Sequence, residues 1–329
     1  MIEFVTLVVT YGSEDRVHNL VKTINSALKQ GTQKVFVVSN GAQYDIVKFL
    51  SIFENKVDLI KYDFNVGSAG GFGGGITEIL KSKEVNDETY ILILDDDVKV
   101  DDGFSKKLEK LESKFSWSSH IWSMLRRGRD STFSANWDRS MESYRNSIAG
   151  FSLRNKVLLP KKQRKNIEVA EPTFITWAGV VAQKSVLKNV ELPNEDFFVY
   201  EDDAQFSLNA QRKGIKIRKS KNLTLSEIGE SWFEDKKRNS GYRIFYKSPS
   251  DEGLGRFLYM LRNNVYLIRN NGLLTSHLIY FTNLSIFVTF GFIRYGHGTF
   301  RSMKRLVLVM SAIHDGWSGH LGQNINWKL

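Results

Sequence analysis

The sequence predicts an α/β fold: a mostly parallel central sheet flanked by helices, with a helical extension at its C-terminal end. Three observations carry that expectation. Over the first hundred residues, short β-branched runs alternate with segments of helical spacing, which is the pattern of βαβ units. Acidic, Asn and Gly motifs follow those runs, where open α/β sheets bind their ligands. From about Gly255 onward the pattern is helical and aromatic.

Taken in order, Phe4–Thr10 is the first strand. Asp15–Lys29 places Val17, Leu20, Val21, Ile24 and Leu28 on one helical face. Lys34–Ser39 is a second strand, Tyr44–Phe53 a helix, Val57–Tyr62 a third strand and Gly74–Lys81 a helix. Tyr90–Leu94 is a fourth strand, closed by three aspartates. From Ser116 to Glu171 the periodicity weakens, and Arg154, Lys156, Lys161, Lys162, Arg164 and Lys165 form a basic loop. Phe174–Gln183 and the aromatic Phe197–Tyr200 read as strands. Asp203–Lys213 reads as a helix stopped by Gly214.

The 329 residues are 42% hydrophobic and 25% charged, a balance that excludes a disordered or collagen-like chain. The absence of Cys excludes disulfides, thiolate nucleophiles and Cys-type zinc sites, and fits a cytosolic address. The six His show no metal-ligand spacing. Met1-Ile2-Glu3 runs straight into a strand with no basic leader, so no signal peptide is expected. The net charge of +10 points to anionic partners. Acids at three strand ends argue against nucleic acid among them, since they would repel its phosphates.

Residues 270–293 carry no charged side chain, and Thr282, Asn283, Ser285 and Thr289 interrupt their apolar run. A core helix or helical hairpin is the first expectation and an interfacial helix the second. The interfacial reading draws on Arg269, Arg294, Arg301, Lys304, Arg305 and Lys328, set against Asp315 alone; residues 265–329 thus hold half the chain's net charge.

Three constellations could carry chemistry. Asp95-Asp96-Asp97 ends the fourth strand. Adjacent carboxylates need a cation or many donors, and hard oxygen ligands suit Mg²⁺ or Mn²⁺. Asn65-Val66-Gly67-Ser68-Ala69-Gly70-Gly71-Phe72 opens a glycine-rich stretch, which lets backbone approach an anion. Glu201-Asp202-Asp203 opens a helix. One acid would suffice as a cap, so the cluster suggests a general base. Trp177-Ala178-Gly179 is a stacking platform or plain core, and Arg262-Asn263-Asn264 a phosphate ligand or a helix cap.

Together these motifs, with Val8-Val9-Thr10-Tyr11 and Ser39-Asn40-Gly41, resemble the GT-A glycosyltransferases of the large family 2, across about residues 3–235. Leu192-Pro193-Asn194-Glu195-Asp196-Phe197 through Phe206 is similar to that family's acceptor segment. The resemblance implies that Thr10, Tyr11, Asn40, Asn65, Gly67, Gly70, Gly71, Phe72, Asp95 and Asp96 bind a nucleotide-sugar. It implies Asp97 and Asp95 as ligands of Mn²⁺ or Mg²⁺, with Glu227 where the family often places a metal-binding His. Asp203 would be the catalytic base, with Asp202 beside it; Trp177, Ala178, Gly179 and Asp202 would meet the acceptor. Residues 1–255 would form the catalytic domain, with a nucleotide-sugar half (about 1–100) and an acceptor half (about 116–235). Residues 256–329 would be a helical, membrane-associating region.

Ser68-Ala69-Gly70-Gly71-Phe72 and Asp202-Asp203-Ala204 look most like bacterial galactofuranosyltransferases, and Asp315–Gly322 resembles the tails of rhamnosyltransferases. The implied activity is an inverting, metal-dependent hexosyl transfer from UDP-galactofuranose to a lipid-linked glycan. Its setting would be cell-surface polysaccharide synthesis, such as O-antigen, at the cytoplasmic face of the bacterial inner membrane. Transfer from dTDP-rhamnose and a non-catalytic polyanion-binding protein are the alternatives.

Overall fold

The computed structural model describes residues 2–115, 119–127, 130, 140–154, 168–228 and 241–329. The basic residues from Lys156 to Lys165 lie outside them. The chain divides into two compact units. The first holds residues 1–138, 164–195 and 206–231; the second holds 139–163, 196–205 and 232–329.

The first unit is built on a nine-stranded sheet among the described residues. Its strands are β1 (Phe4–Tyr11), β2 (Val35–Asn40), β3 (Val57–Tyr62), β4 (Tyr90–Asp95), β5 (Val98–Val100), β6 (His120–Arg127), β7 (Val169–Ala170), β8 (Val180–Gln183) and β9 (Lys216–Glu227). The order is β3-β2-β1-β4-β8-β6-β9-β5, with β7 also on β9. The first four strands are mutually parallel. β8 runs antiparallel to β4 and β6, while β9 is parallel to β6. Order reverses between β1 and β4, so their carboxyl ends flank the switch point where such sheets bind ligands.

Period-2 alternation divides β1 between two cores. Phe4 and Val8 pack with Leu20 and Ile24 of α1 (Val17–Lys29) and with Leu108 and Leu111 of α4 (Phe104–Phe115). Val5, Leu7 and Val9 pack with Phe72, Ile76 and Ile79 of α3 (Gly67–Lys81). Both faces are covered, which is why these strands read as continuous apolar runs. The second predicted helix is a short α2 (Ile46–Leu50) followed by a 3₁₀ turn, Ser51–Lys56.

Three expectations need correction. The glycine run is the first two turns of α3, which begins at Gly67 rather than Gly74. Packing explains why a poor helix sequence is helical: a Cβ on Gly75 would lie 2.6 Å from Leu7 Cδ1 and 2.8 Å from Val38 Cγ2. Only glycine lets this helix lie so close to the sheet. Phe174–Gln183 is a strand only from Val180, as β8, and a single helical turn, α5 (Lys184–Leu187), follows it directly. Phe197–Tyr200 is no strand but a 3₁₀ turn (Glu195–Phe197) leading into strained backbone, with φ of 62° at Phe198 and 69° at Tyr200.

The unit boundary falls within α6 (Asp202–Arg212), whose first four residues belong to the second unit. That unit is helical: α7 (Gly241–Lys247), α8 (Gly255–Asn270), α9 (His277–Gly291) and α10 (Phe300–Ser318). A π-helical turn, Phe292–Gly296, prolongs α9. α9 is not a core helix, since only 22% of its most apolar window is buried; it packs through Tyr280 and Phe281 on Trp317 of α10 as a helical hairpin, the other form of the first expectation.

Candidate functional site

The acid cluster is assembled by strand register. Val9 of β1 pairs with Asp95 of β4, and Val98 of β5 pairs with Glu227 of β9. The Ile228 N–H donates to the Asp97 carbonyl at 2.8 Å, which fixes the backbone between β4 and β5. Four carboxylates are thereby collected at the carboxyl end of β4.

Two arginines that the sequence reading missed enter this cluster. Arg126 Nε and Nη2 donate to the two Glu227 carboxylate oxygens at 2.8 and 3.1 Å, and Nη1 reaches Asp95 Oδ2 at 3.2 Å. Burial works to lower the Arg126 pKa, but Asp95, Glu227 and Asp97 outweigh it and raise the value. Arg16 Nε donates to Asp96 Oδ2 at 2.8 Å, and its Nη2 bonds Asp96 Oδ1. The Thr10 hydroxyl donates to Asp96 Oδ2 at 2.5 Å. Burial again opposes, and the bonds to Asp96 again raise, the Arg16 pKa. Arg16 also lies over the Tyr11 ring, 4.4 Å from its centroid. A base one turn past the first strand, and an Arg pair closing a later one, were the available signals.

Of the expected nucleotide contacts, Thr10 and Asp96 are therefore bonded directly, and Arg16 links Asp96 to Tyr11. Asp96 is buried at 1% exposure, whereas Asp95 and Asp97 are partly open. Two arginines against four carboxylates leave a net charge of about −2, the complement of one divalent cation.

Glu227 does stand beside the triad, but both its oxygens accept from Arg126. Among the described residues no three His, Asp or Glu side chains converge as a cation site. Of the expected ligands Asp97, Asp95 and Glu227, Glu227 thus has both oxygens taken by Arg126, while Asp95 gives Arg126 one oxygen and stands with Asp97, both partly open. That pair still fits Mg²⁺ or Mn²⁺, which are commonly held by one or two carboxylates together with phosphate oxygens.

Beside the cluster, Asn40 closes β2 onto the start of α3. Its Oδ1 accepts from Val66 N–H, and its Nδ2 donates to the Gly67 carbonyl, both at 2.8 Å. Asn65 Oδ1 accepts from Gly67 N–H at 2.8 Å. Both asparagines brace the turn, so that the N–H groups and positive dipole end of α3 are fixed in place. Gly70, Gly71 and Phe72 are buried in α3.

Trp177 and Ala178 are buried, at 4% and 2% exposure. The indole stacks on Phe72 (5.2 Å between centroids) and packs against Phe206 (4.8 Å). Its faces are taken by the chain's own rings, which is the core role rather than the platform. Gly179 adopts φ of 89° and donates to the Ile93 carbonyl.

In the second unit, Asp202 and Asp203 open α6, where the helix dipole favours acids. Asp202 is buried and Asp203 partly exposed, so Asp203 is the member of the pair open to solvent. Three of the four non-glycine residues of the approach hold positive φ: Phe198, Tyr200 and Glu201. Such strain persists only where its surroundings enforce it. Asn263 supplies that constraint: its side-chain amide donates to the carbonyls of Phe197, Val199 and Tyr200, each at 2.9 Å. Asn264 Nδ2 donates to Glu201 Oε2 at 3.1 Å, and Arg262 Nη2 reaches the Phe197 carbonyl at 3.3 Å. Arg262-Asn263-Asn264 is mid-helix and buried in α8; it neither caps a helix nor faces solvent for a phosphate.

No family model and no curated protein matches this chain. Solved structures do. The crystal structure of GalNAc-T7 with UDP, GalNAc and Mn²⁺ aligns at a TM-score of 0.54 and 12% identity, over 82% of this chain and 48% of that one. The present chain thus spans about half the length of GalNAc-T7. Staphylococcus aureus TarS aligns at 0.48 and 14% identity, over 96% of this chain and 54% of that chain. TarS 1–349 with UDP-GlcNAc aligns at 0.48 and 12% identity, over 97% and 91%. Identities this low show the fold alone, and the fold shared with GalNAc-T7 is of the GT-A type.

Proposed function

We propose that this chain is an inverting glycosyltransferase that moves a sugar from a UDP-sugar to an acceptor hydroxyl, with Mn²⁺ or Mg²⁺ as cofactor. The observation that carries this reading is the under-neutralised acid cluster at the switch point of a GT-A sheet, beside a glycine helix whose start is braced by Asn40 and Asn65. A divalent cation would supply charge stabilisation for the departing diphosphate. Asp95 and Asp97 would hold it; Arg126 and Arg16 would keep the four carboxylates from repelling one another. The α3 N-terminus offers N–H donors to phosphate. Asp203 would take the acceptor proton while Asp202 positions the acceptor, which makes the displacement inverting.

The finer assignment rests on the galactofuranosyltransferase-like motifs at Ser68–Phe72 and Asp202–Ala204. They favour galactofuranose as the sugar and a lipid-linked glycan of the bacterial surface as acceptor. The Asp315–Gly322 segment favours rhamnose from dTDP-rhamnose as the second reading. The partly exposed acids disfavour a polyanion-binding protein.

Two outcomes are expected from a panel of sugar nucleotides assayed with and without Mn²⁺. Asp97→Ala should lose metal-dependent UDP binding by calorimetry while its unfolding stays cooperative. Asp203→Asn should keep UDP binding and lower the single-turnover rate by roughly 10²–10⁴-fold. UDP binding that is indifferent to both EDTA and Asp97→Ala would overturn the metal assignment. Wild-type turnover by Asp203→Asn would move the base elsewhere.

A further inference from the structure

The C-terminal hairpin has an apolar outer face that the reaction does not use. α9 and α10 are joined through Phe292–Thr299 and meet again where Trp317 packs on Phe281, at 5.0 Å between centroids, and on Tyr280, at 5.9 Å. Each helix buries one stripe. In α9 it is Tyr280, Asn283, Leu284 and Gly291, and in α10 Ser302, Arg305, Val309, Ala312 and Gly316. The opposite stripes are apolar too. Leu278 is 80% exposed, Phe300 76% and Ile293 68%, with Phe281, Phe290 and Val307 between them. A helix that is apolar all round belongs in an apolar environment, yet most of α9 faces outward.

Charge says what that environment is. No Asp or Glu occurs from Gly253 to His314. Arg294, Arg301 and Lys304 are exposed at the linked end of the hairpin. Arg269 is exposed at the other end, 4.9 Å from the Trp317 ring centroid. We propose that the outer face of the α9–α10 hairpin docks on an anionic phospholipid bilayer. Its apolar side chains enter the boundary between headgroups and acyl chains, and its arginines and lysine meet lipid phosphates.

A second copy of the chain fits less well, because a self-complementary contact would bring two like-charged rims together. A spanning helix also fits less well. The inner stripe of α9 is occupied by protein, with Asn283 donating to the Asn146 carbonyl at 2.8 Å and accepting from Leu153 N–H at 3.0 Å. The proposal does not depend on glycosyl transfer and would stand if no sugar were moved.

The test is flotation of the full chain with phosphatidylcholine vesicles, with and without about one third phosphatidylglycerol. Binding is expected only to the anionic vesicles, and to weaken as salt is raised. The triple change Arg294→Glu, Arg301→Glu, Lys304→Glu should reduce it by at least about 10²-fold, at about fivefold per basic residue lost, with the added acids repelling the surface further. Leu278→Glu with Ile293→Glu should also release the chain while the far-ultraviolet circular dichroism stays unchanged, since both sites are exposed. Equal binding to neutral and anionic vesicles overturns the proposal, as does no binding to either. Resistance to alkaline extraction would assign a spanning helix instead. Self-association abolished by Leu278→Glu, with no vesicle binding, would assign the face to a second copy.

Discussion

Glu201 stands at a φ of 66°, accepts from Asn264 and precedes Asp202. Burial, with a smaller contribution from the Asp202 charge and against the Asn264 bond, pushes its carboxyl up to about 7 from an ordinary 4.5. A carboxyl with a raised pKa binds its proton more tightly in the folded chain than in the unfolded one. Its stabilising share is therefore present below about pH 4.5 and is lost as pH rises through about 7. Glu201→Gln keeps an acceptor for Asn264 but cannot ionise. By denaturant unfolding, the two proteins should differ little at acid pH. Near pH 8 the Gln variant should be the more stable, by on the order of 3 kcal/mol. Parallel stability curves for the two proteins would show that Glu201 is solvated after all. Single residues also account for what the sequence hid at the acid cluster. Arg126 and Glu227 are 101 positions apart, and neither stands in a motif that names the other.

At the scale of an element, α3 is the informative case. Its five interior glycines make it weaker than a poly-Ala helix by about 5 kcal/mol, at about 1 kcal/mol each. Contact with the sheet offsets that, and the glycines are not equivalent in this respect. An added Cβ at Gly75 meets Leu7 and Val38, whereas one at Gly73 meets nothing within 4 Å. Gly73→Ala should therefore stabilise the protein by about 0.5–1 kcal/mol through helix propensity. Gly75→Val should destabilise it by about 1–3 kcal/mol by prising the helix off the sheet. Thermal unfolding of both variants decides the matter; a loss of stability in Gly73→Ala would mean that α3 is not packed as described. The sequence showed these glycines as a ligand loop because spacing alone does not reveal that a helix can be held by proximity rather than propensity.

Across the whole molecule, legibility follows burial. β1, β2 and β4 are buried along nearly all their length and read as apolar runs, so their places and their end motifs were recoverable, whereas the edge strand β3, with Asp58 and Lys61, is only half-buried. β6 and β9 were not, because they carry charges inside the sheet. Arg126 is answered by Glu227, Lys219 by Asp130 at 2.7 Å, and Arg218 by Glu171 at 3.5 Å. Those partners are distant in sequence, and their strands look like polar loops until they are paired. The C-terminal hairpin was legible in composition but not in exposure: a run such as Leu278–Phe290 has the same residues whether it faces a core or a bilayer. The acid triad and the Asp202-Asp203 pair were found because clustered like charge is conspicuous without any knowledge of what surrounds it.

The pairing of β5 with β9 sets the order in which the acid cluster can be finished during synthesis. A ribosome delivers Asp95, Asp96 and Asp97 long before it delivers Glu227 and the strand that pins Asp97 through Ile228. At about 5–20 residues per second, that interval is on the order of 10 s. Throughout it, β1 to β4 can already be paired, and Arg16 is available to Asp96. Arg126 arrives part-way, with Asp95 as a partner and Glu227 still to come. The nascent chain thus carries a formed sheet with an open, unbalanced anionic edge, and the last strand to emerge closes it.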